Sequence, residues 1–84
     1  MSELAVQVSL YPLGQEGLSP AIDEVLRVFE SHGLNAETGP MSTVLAGNDG
    51  ALFAALHEAT LAAARLGKMV MVITVSNACA VPVV

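Results

Sequence analysis

The sequence predicts an α+β domain with four strands and two helices, in the order strand, helix, strand, strand, helix, strand. Apolar residues alternate with polar ones near the start of the chain and run almost unbroken near its end, as in strands. Two segments between them have helical apolar spacing and end at a glycine. The central segment Gly39 to Gly47 has a proline corner flanked by apolar residues, which is typical of two strands joined by a sharp reversal. With 84 residues, the chain is expected to form a single domain over residues 1–84.

The first strand is predicted over residues 4–12, because apolar and polar positions alternate there. Its apolar face carries Val6, Val8 and Leu10. Its polar face carries an amide, a hydroxyl and a phenol about 7 Å apart, on Gln7, Ser9 and Tyr11. This polar row is either the solvent side of a sheet or a binding or subunit-facing surface.

The first helix is predicted at about residues 20–32, with Ser19 as N-cap and Gly33 as the stop. The second is predicted at about residues 51–66, after a turn and N-cap at Gly47 to Gly50. The first helix has the apolar stripe Ile22, Val25, Leu26 and Phe29. The second has the core stripe Leu52, Leu56, Ala59, Ala63 and Leu66.

The remaining strands are predicted over residues 35–38, 43–46 and 68–75. Residues 76–84 form an apolar tail, which is expected to be either an extra edge segment packed on a partner subunit or a flexible end. The complete order is that of the split βαβ repeat, a ferredoxin-like four-stranded antiparallel sheet with both helices on one face. The other face would carry Gln7, Ser9, Tyr11 and half of the last strand, as a subunit interface, a ligand platform or both.

The composition predicts self-association and argues against nucleic-acid binding. The chain is 54% hydrophobic and 13% charged, against about 45 to 50% and about 25% in typical domains. A single small core cannot hide this much apolar surface, so a second subunit is expected to cover the excess. The net charge is -5, and the positively charged residues are only Arg27, Arg65 and Lys68. The chain therefore has no basic patch that could bind a phosphate backbone. A cationic ligand is mildly favoured.

The sequence has no recognisable catalytic or metal-binding motif, so we predict that the protein is not an enzyme and holds no metal or cofactor. No phosphate-binding glycine loop, paired cysteines or zinc-protease pattern occurs, and the two histidines are expected to be structural. Cys79 is the only cysteine, which suits a reducing cytoplasm, and no base is placed to activate it. No apolar run approaches a membrane span, so a cytoplasmic location without membrane contact is expected.

The central segment Gly-Pro-Met-Ser-Thr, with a glycine four residues beyond the threonine, resembles the thiamine-binding protein family. The first strand running into Tyr11 to Gly14 and the Ser19-led helix also resemble it. The resemblance implies a ferredoxin-like fold, dimers and tetramers assembled through the sheets, and non-catalytic binding of thiamine or its hydroxymethylpyrimidine precursor, as carrier or sensor. The ligand-binding positions that it implies are Met41, Ser42 and Thr43.

Ser9 and Tyr11 join this site by geometry, since the first strand is central in such a fold. A carboxylate such as Glu37 would be a natural neighbour for the cationic thiazolium ring. In the alternative interpretation, Ser42 and Thr43 only satisfy a turn. Two other functions stay open: a regulatory ligand module of the amino-acid-sensing type, and a structural oligomerisation subunit without ligand. Relatives commonly end in a charged segment, and the apolar tail here leaves the mode of oligomerisation open.

Overall fold

The computed structural model describes residues 3–14, 19–39 and 42–77, which form one antiparallel sheet and two helices. In chain order the elements are β1 Glu3–Pro12, α1 Ser19–Ser31, β2 Glu37–Thr38, β3 Thr43–Asn48, α2 Asp49–Arg65 and β4 Met69–Ser76. The predicted βαββαβ ferredoxin-like order is confirmed. The tail beyond Asn77, with Cys79, lies outside the described residues.

The sheet has the order β2-β3-β1-β4, so β1 is central and β4 is an edge strand. All three pairings are antiparallel, and Val8 of β1 is paired with Thr43 of β3 on one side and with Ile73 of β4 on the other. Because paired residues point to the same side of a sheet, this register decides which side chains of different strands share a face.

The core lies between one face of the sheet and the two helices. The strands contribute Val6, Val8 and Leu45, all less than one-twentieth exposed, while Leu10 and Met71 pack at the margin. The helices contribute the residues opposite them, which are Val25, Val28, Phe29, Leu52, Ala55, Leu56, Ala59, Ala62 and Ala63. We call the opposite side of the sheet the open face.

Two parts of the predicted helical stripes are wrong. In α1, Val28 is fully buried, whereas Ile22 and Leu26 are only half-buried, because the side of α1 that faces the core is set by its packing against α2 as well as the sheet. In α2, Leu66 is 45% exposed and not in the core. It is the C-cap, and the chain leaves the helix at once through Gly67, whose φ of 144° a side chain would disfavour.

β2 is two residues shorter than predicted, because Asn35 and Ala36 are not paired with β3. The Leu34 amide donates to the Phe29 carbonyl at 3.0 Å, after a left-handed Gly33, and the Leu34 side chain enters the core. Ala36 packs at the margin of the core, and the pairing with β3 begins at Glu37.

β3 passes directly into α2, without the separate turn that was predicted. Asn48 is both the last residue of β3 and the N-cap of α2, and its side-chain oxygen accepts a hydrogen bond from the Ala51 amide at 2.9 Å. The N-cap predicted between Gly47 and Gly50 is therefore present, at Asn48.

The outer surface of the helices carries two contacts between polar side chains. Arg27 is paired with Glu24 on α1, and His32 Nε2 at the end of α1 lies 2.7 Å from Glu58 Oε1 on α2. The Arg27 guanidinium beside Glu24 lowers the pKa of that carboxyl, and the pKa of Arg27 is raised in return. No helix in the described part of the chain is long and apolar enough to cross a bilayer.

Candidate functional site

The polar row of β1 lies on the open face of the sheet. Val6 and Val8 point into the core, so alternation places Gln7, Ser9 and Tyr11 on the other side. Gln7 and Ser9 are half-buried, and Tyr11 is 45% exposed. The predicted row is therefore accessible from the side of the sheet that the helices leave open.

β4 forms an apolar surface beside this polar row. In its register, Val70 is paired with Tyr11 and Val72 with Ser9, while Thr74 is paired with Gln7. Val70 and Val72 are 47% and 49% exposed, so two branched apolar side chains stand next to the phenol and the hydroxyl. A flat aromatic ring would meet apolar contacts and hydrogen-bonding groups together on this surface.

On the other side of β1, the register brings a carboxylate onto the same face. Gln7 is paired with Val44 of β3, and Val44 with Glu37 of β2. Glu37 is exposed and its backbone lies about 10 Å from that of Gln7, across two strand spacings. The strand residues of the open face that carry charge, within the described ranges, are Glu3 and Glu37, both acidic. The Glu37 carboxylate favours a cation over an anion in its own vicinity.

The hairpin between β2 and β3 ends close to the polar row. The Gly39 amide donates to the Ser42 carbonyl at 2.7 Å, which closes the reversal of the chain. Since Val8 is paired with Thr43, the same antiparallel register places Ser42 beside Ser9. Ser42 is half-buried and lies at the margin of the open face. Its backbone carbonyl closes the hairpin.

The five predicted site residues are only partly brought together. Ser9, Tyr11 and Ser42 lie together at one corner of the open face, whereas Thr43, which is paired with Val8, points to the helix side. Thr43 is 8% exposed and is the buried polar residue among those described. Met41 lies outside the described residues.

Sequence reasoning missed part of this surface for an identifiable reason. Val44 and Leu45 are both apolar, so alternation in β3 did not decide whether Thr43 faces the helices or the open side. The pairing with β1 decides it, and that pairing is a tertiary feature. Sequence reasoning also did not predict that Gln7 is paired with Thr74, although alternation indicates the face of each residue within its own strand.

The chain matches the model of a known family, described as thiamine-binding protein, over residues 6–78. It belongs to the thiamine-binding protein family. The matched segment includes the whole open-face surface from Gln7 to Thr74, together with Glu37 and Ser42. The tail residues 79–84, with Cys79, lie outside the match.

Solved structures share the fold of this chain. A hypothetical protein, MJ1052 from Methanocaldococcus jannascii, is 27% identical over 90% of this chain and 80% of its own, with a TM-score of 0.78. A Thermotoga maritima protein, TM0486, whose name assigns it to thiamine biosynthesis or salvage, is 20% identical over 87% and 81%, with a TM-score of 0.76. A Streptococcus pneumoniae protein, SP2199, is 21% identical over 88% and 84%, with a TM-score of 0.79. The latter two are similar in fold. No curated protein matches the sequence.

Proposed function

We propose that this chain binds thiamine or its hydroxymethylpyrimidine precursor without changing it chemically, and acts as a carrier or sensor of the vitamin in the cytoplasm. The observation that carries the proposal is membership of the thiamine-binding protein family over residues 6–78. The open face supports it, because its strands combine acidic, hydroxyl, amide and apolar groups in reach of one another.

In this proposal the pyrimidine ring binds at the corner formed by Ser9, Tyr11 and Ser42, and Met41, which precedes Ser42 in the sequence, is a further contact. Hydroxyls can donate to ring nitrogens and accept from the exocyclic amino group, and Val72 gives the ring an apolar surface. The thiazolium then extends across β3 toward Glu37, whose carboxylate favours a cation. No metal or other cofactor takes part.

Substitution of Thr43 tests which side of the sheet binds the ligand. A ligand on the open face cannot touch a side chain that points toward the helices, so Thr43 would act there by supporting the hairpin. We therefore expect Ser9→Ala to weaken thiamine binding and Thr43→Val to leave it within about twofold, a change below half a kcal/mol. The reverse pattern would move the site to the helix side.

The proposed protein also associates with itself, as a dimer or tetramer through sheet faces and edges. Its support is the exposure of apolar side chains on β4, where Val70, Val72, Ile73 and Val75 are each between 38% and 49% exposed. Surface of this kind on an edge strand is usually covered in a soluble assembly. Mass photometry that finds only monomers at micromolar concentration would contradict this part.

The experiment that tests the function is thermal unfolding with thiamine, its phosphates, hydroxymethylpyrimidine and a panel of amino acids. A ligand at about 100 times its dissociation constant adds about 2.7 kcal/mol to the free energy of unfolding. For a domain of 84 residues this raises Tm by roughly 10 °C or more. Mass spectrometry of the recovered ligand should find it unaltered, as non-catalytic binding requires.

A response to amino acids alone would favour a regulatory ligand module, and no response to any compound would favour an oligomerisation subunit. Binding should persist in EDTA, since the site is proposed to need no metal. Product formation from the bound vitamin would contradict the non-catalytic part of the proposal.

A further inference from the structure

The second half of β4 exposes apolar side chains on the side of the sheet that carries the helices. Ile73 is paired with the buried Val8 of β1 and therefore points to the helix side, as Val8 does. Val75 is paired with the buried Val6 in the same way. Ile73 and Val75 are nevertheless 38% and 42% exposed. An association through the open face cannot cover them, because they point to the other side of the sheet.

α2 packs on the first half of β4 and leaves this second half partly exposed. The Thr60 hydroxyl lies 3.5 Å from Met71 Sδ, and Met71 packs against the core. α2 begins beside Glu3 of β1 and β4 ends beside Ala5, so the helix and the strand run in opposite directions. Beyond Met71, the helix side of β4 therefore lies beside the N-terminal half of α2.

Phe53 borders the exposed part of β4 from the helix. It lies seven positions before Thr60, almost two whole turns, so it is on the same side of α2 as the residue that contacts β4. Seven positions correspond to about 10 Å along the helix. Ile73 and Val75 lie about 7 and 13 Å beyond Met71 along the strand, so Phe53 is level with them. Phe53 is 52% exposed. We call the area formed by Phe53, Ile73 and Val75 the α2–β4 surface.

The residues that follow β4 match this surface in chemistry and in reach. Residues 78–84, which lie outside the described part of the chain, are Ala, Cys, Ala, Val, Pro, Val and Val, seven residues without a charge. β4 ends at Ser76, directly after Val75, so this segment begins at one end of the α2–β4 surface. Seven residues span up to about 23 Å, which exceeds the length of the surface. A segment joined to the surface by two residues is also present there at a high effective concentration.

We propose that residues 78–84 of the same chain pack against the α2–β4 surface and shield Phe53, Ile73 and Val75 from water. Burial of apolar side chains of both the segment and the surface favours this contact. A separate partner would lose its translational freedom on binding, whereas the chain's own segment does not. The open face lies on the other side of the sheet, so the inference is independent of the proposed function and leaves the ligand site accessible.

Methyl NMR of the full chain with a soluble paramagnetic agent measures the exposure directly. Val81→Asp places a charge in the middle of the segment and should keep it in water. We expect paramagnetic relaxation of the Ile73 and Val75 methyl groups to become about twofold faster in this variant, as the docked population falls. Val70 and Val72 are matched controls, because they are similarly exposed on the same strand but point to the open face. Equal relaxation of Ile73 and Val75 with and without the substitution would overturn the proposal.

Substitution of Phe53 tests the contact from the helix. Cys79 is the only cysteine of the chain, so its rate of alkylation by iodoacetamide, divided by the rate in urea, reports on the segment alone. Phe53→Asp should raise this ratio by about threefold, because it weakens docking. Leu61→Asp is the matched control, since Leu61 is 46% exposed on the same helix and lies about 100° around it from Thr60. No change with Phe53→Asp, or an equal change in the control, would contradict the contact.

A mixed sample tests whether the segment belongs to the same chain. The isotope-labelled chain without substitutions is refolded with an excess of the unlabelled Val81→Asp chain. Ile73 and Val75 of the labelled chain should stay protected from the paramagnetic agent, because each chain covers its own surface. Loss of their protection in the mixture would assign the segment to the partner subunit and overturn the proposal.

Discussion

The carboxylate of Glu37 gives the sharpest test of how a ligand would lie on the open face. We expect Glu37→Gln to weaken binding of thiamine but not of hydroxymethylpyrimidine, because only thiamine carries the thiazolium cation. A pair of unit charges 4 Å apart is worth about 1 kcal/mol in water and about 4 kcal/mol at an effective dielectric constant of 20. Glu37 is exposed, so the lower figure applies, and it corresponds to about a fivefold rise in Kd.

Isothermal titration calorimetry with both ligands, at low and at physiological salt, measures this difference. The effect on thiamine should shrink as salt rises, since exposed charges are screened over about 8 Å at 0.15 M. Glu30→Gln is the matched control, because it removes an exposed carboxylate from α1 on the opposite side of the sheet. An equal loss for both ligands, or an equal loss in the control, would refute the placement of the cation near Glu37.

Three further outcomes follow from the local structure. Asn48→Ala should lower the free energy of unfolding by about 1 kcal/mol in urea titrations, because it removes the side-chain cap of α2. Gly47→Ala should lower it by about 1 to 2 kcal/mol, because the added carbon would lie 2.9 Å from Leu34 Cδ2 and the buried leucine must shift. Arg27→Gln should return the pKa of Glu24 toward its usual value in carboxyl NMR titrations, because their hydrogen bond is the main cause of its lowering. The lowered pKa makes the pair stabilising above the unfolded-state pKa, and this stability is lost as pH falls through the folded-state value.

The sequence was sufficient for the fold because local signals and tertiary packing agree in most elements. The alternation of β1 places Val6 and Val8 in the core and Ser9 on the open face, as predicted. Central strands need one apolar face under the helices, so period-two patterning is reliable there. The buried face of α1 was less predictable, since the burial of Val28 depends on how α1 packs against α2.

The site was less predictable than the fold, because it is assembled by register across strands. Thr43 follows Ser42 in the sequence, yet one residue of displacement in a strand moves a side chain to the other face of the sheet. The pairing of Val8 with Thr43 therefore separates Thr43 from Ser9 while bringing Ser42 to it. Glu37 was expected near a cation from its charge, and its place on the open face follows from its pairing with Val44.

The open face cannot enclose a small molecule by itself, and this links the proposed ligand to the proposed assembly. Ligand sites usually bury about 70 to 90% of the surface of a small molecule, whereas a sheet face offers one wall. Val70 and Val72 remain about half exposed beside Ser9 and Tyr11, so a second copy seated on this face would cover both the ligand and the valines. We therefore expect saturating thiamine to tighten self-association, and the associated protein to bind thiamine more tightly than the monomer, because the two equilibria are linked. Sedimentation velocity with and without thiamine measures the first effect, and titrations at two protein concentrations measure the second. Ligand-induced dissociation into monomers would show that ligand and copy compete for the face, and would contradict a site completed by the partner.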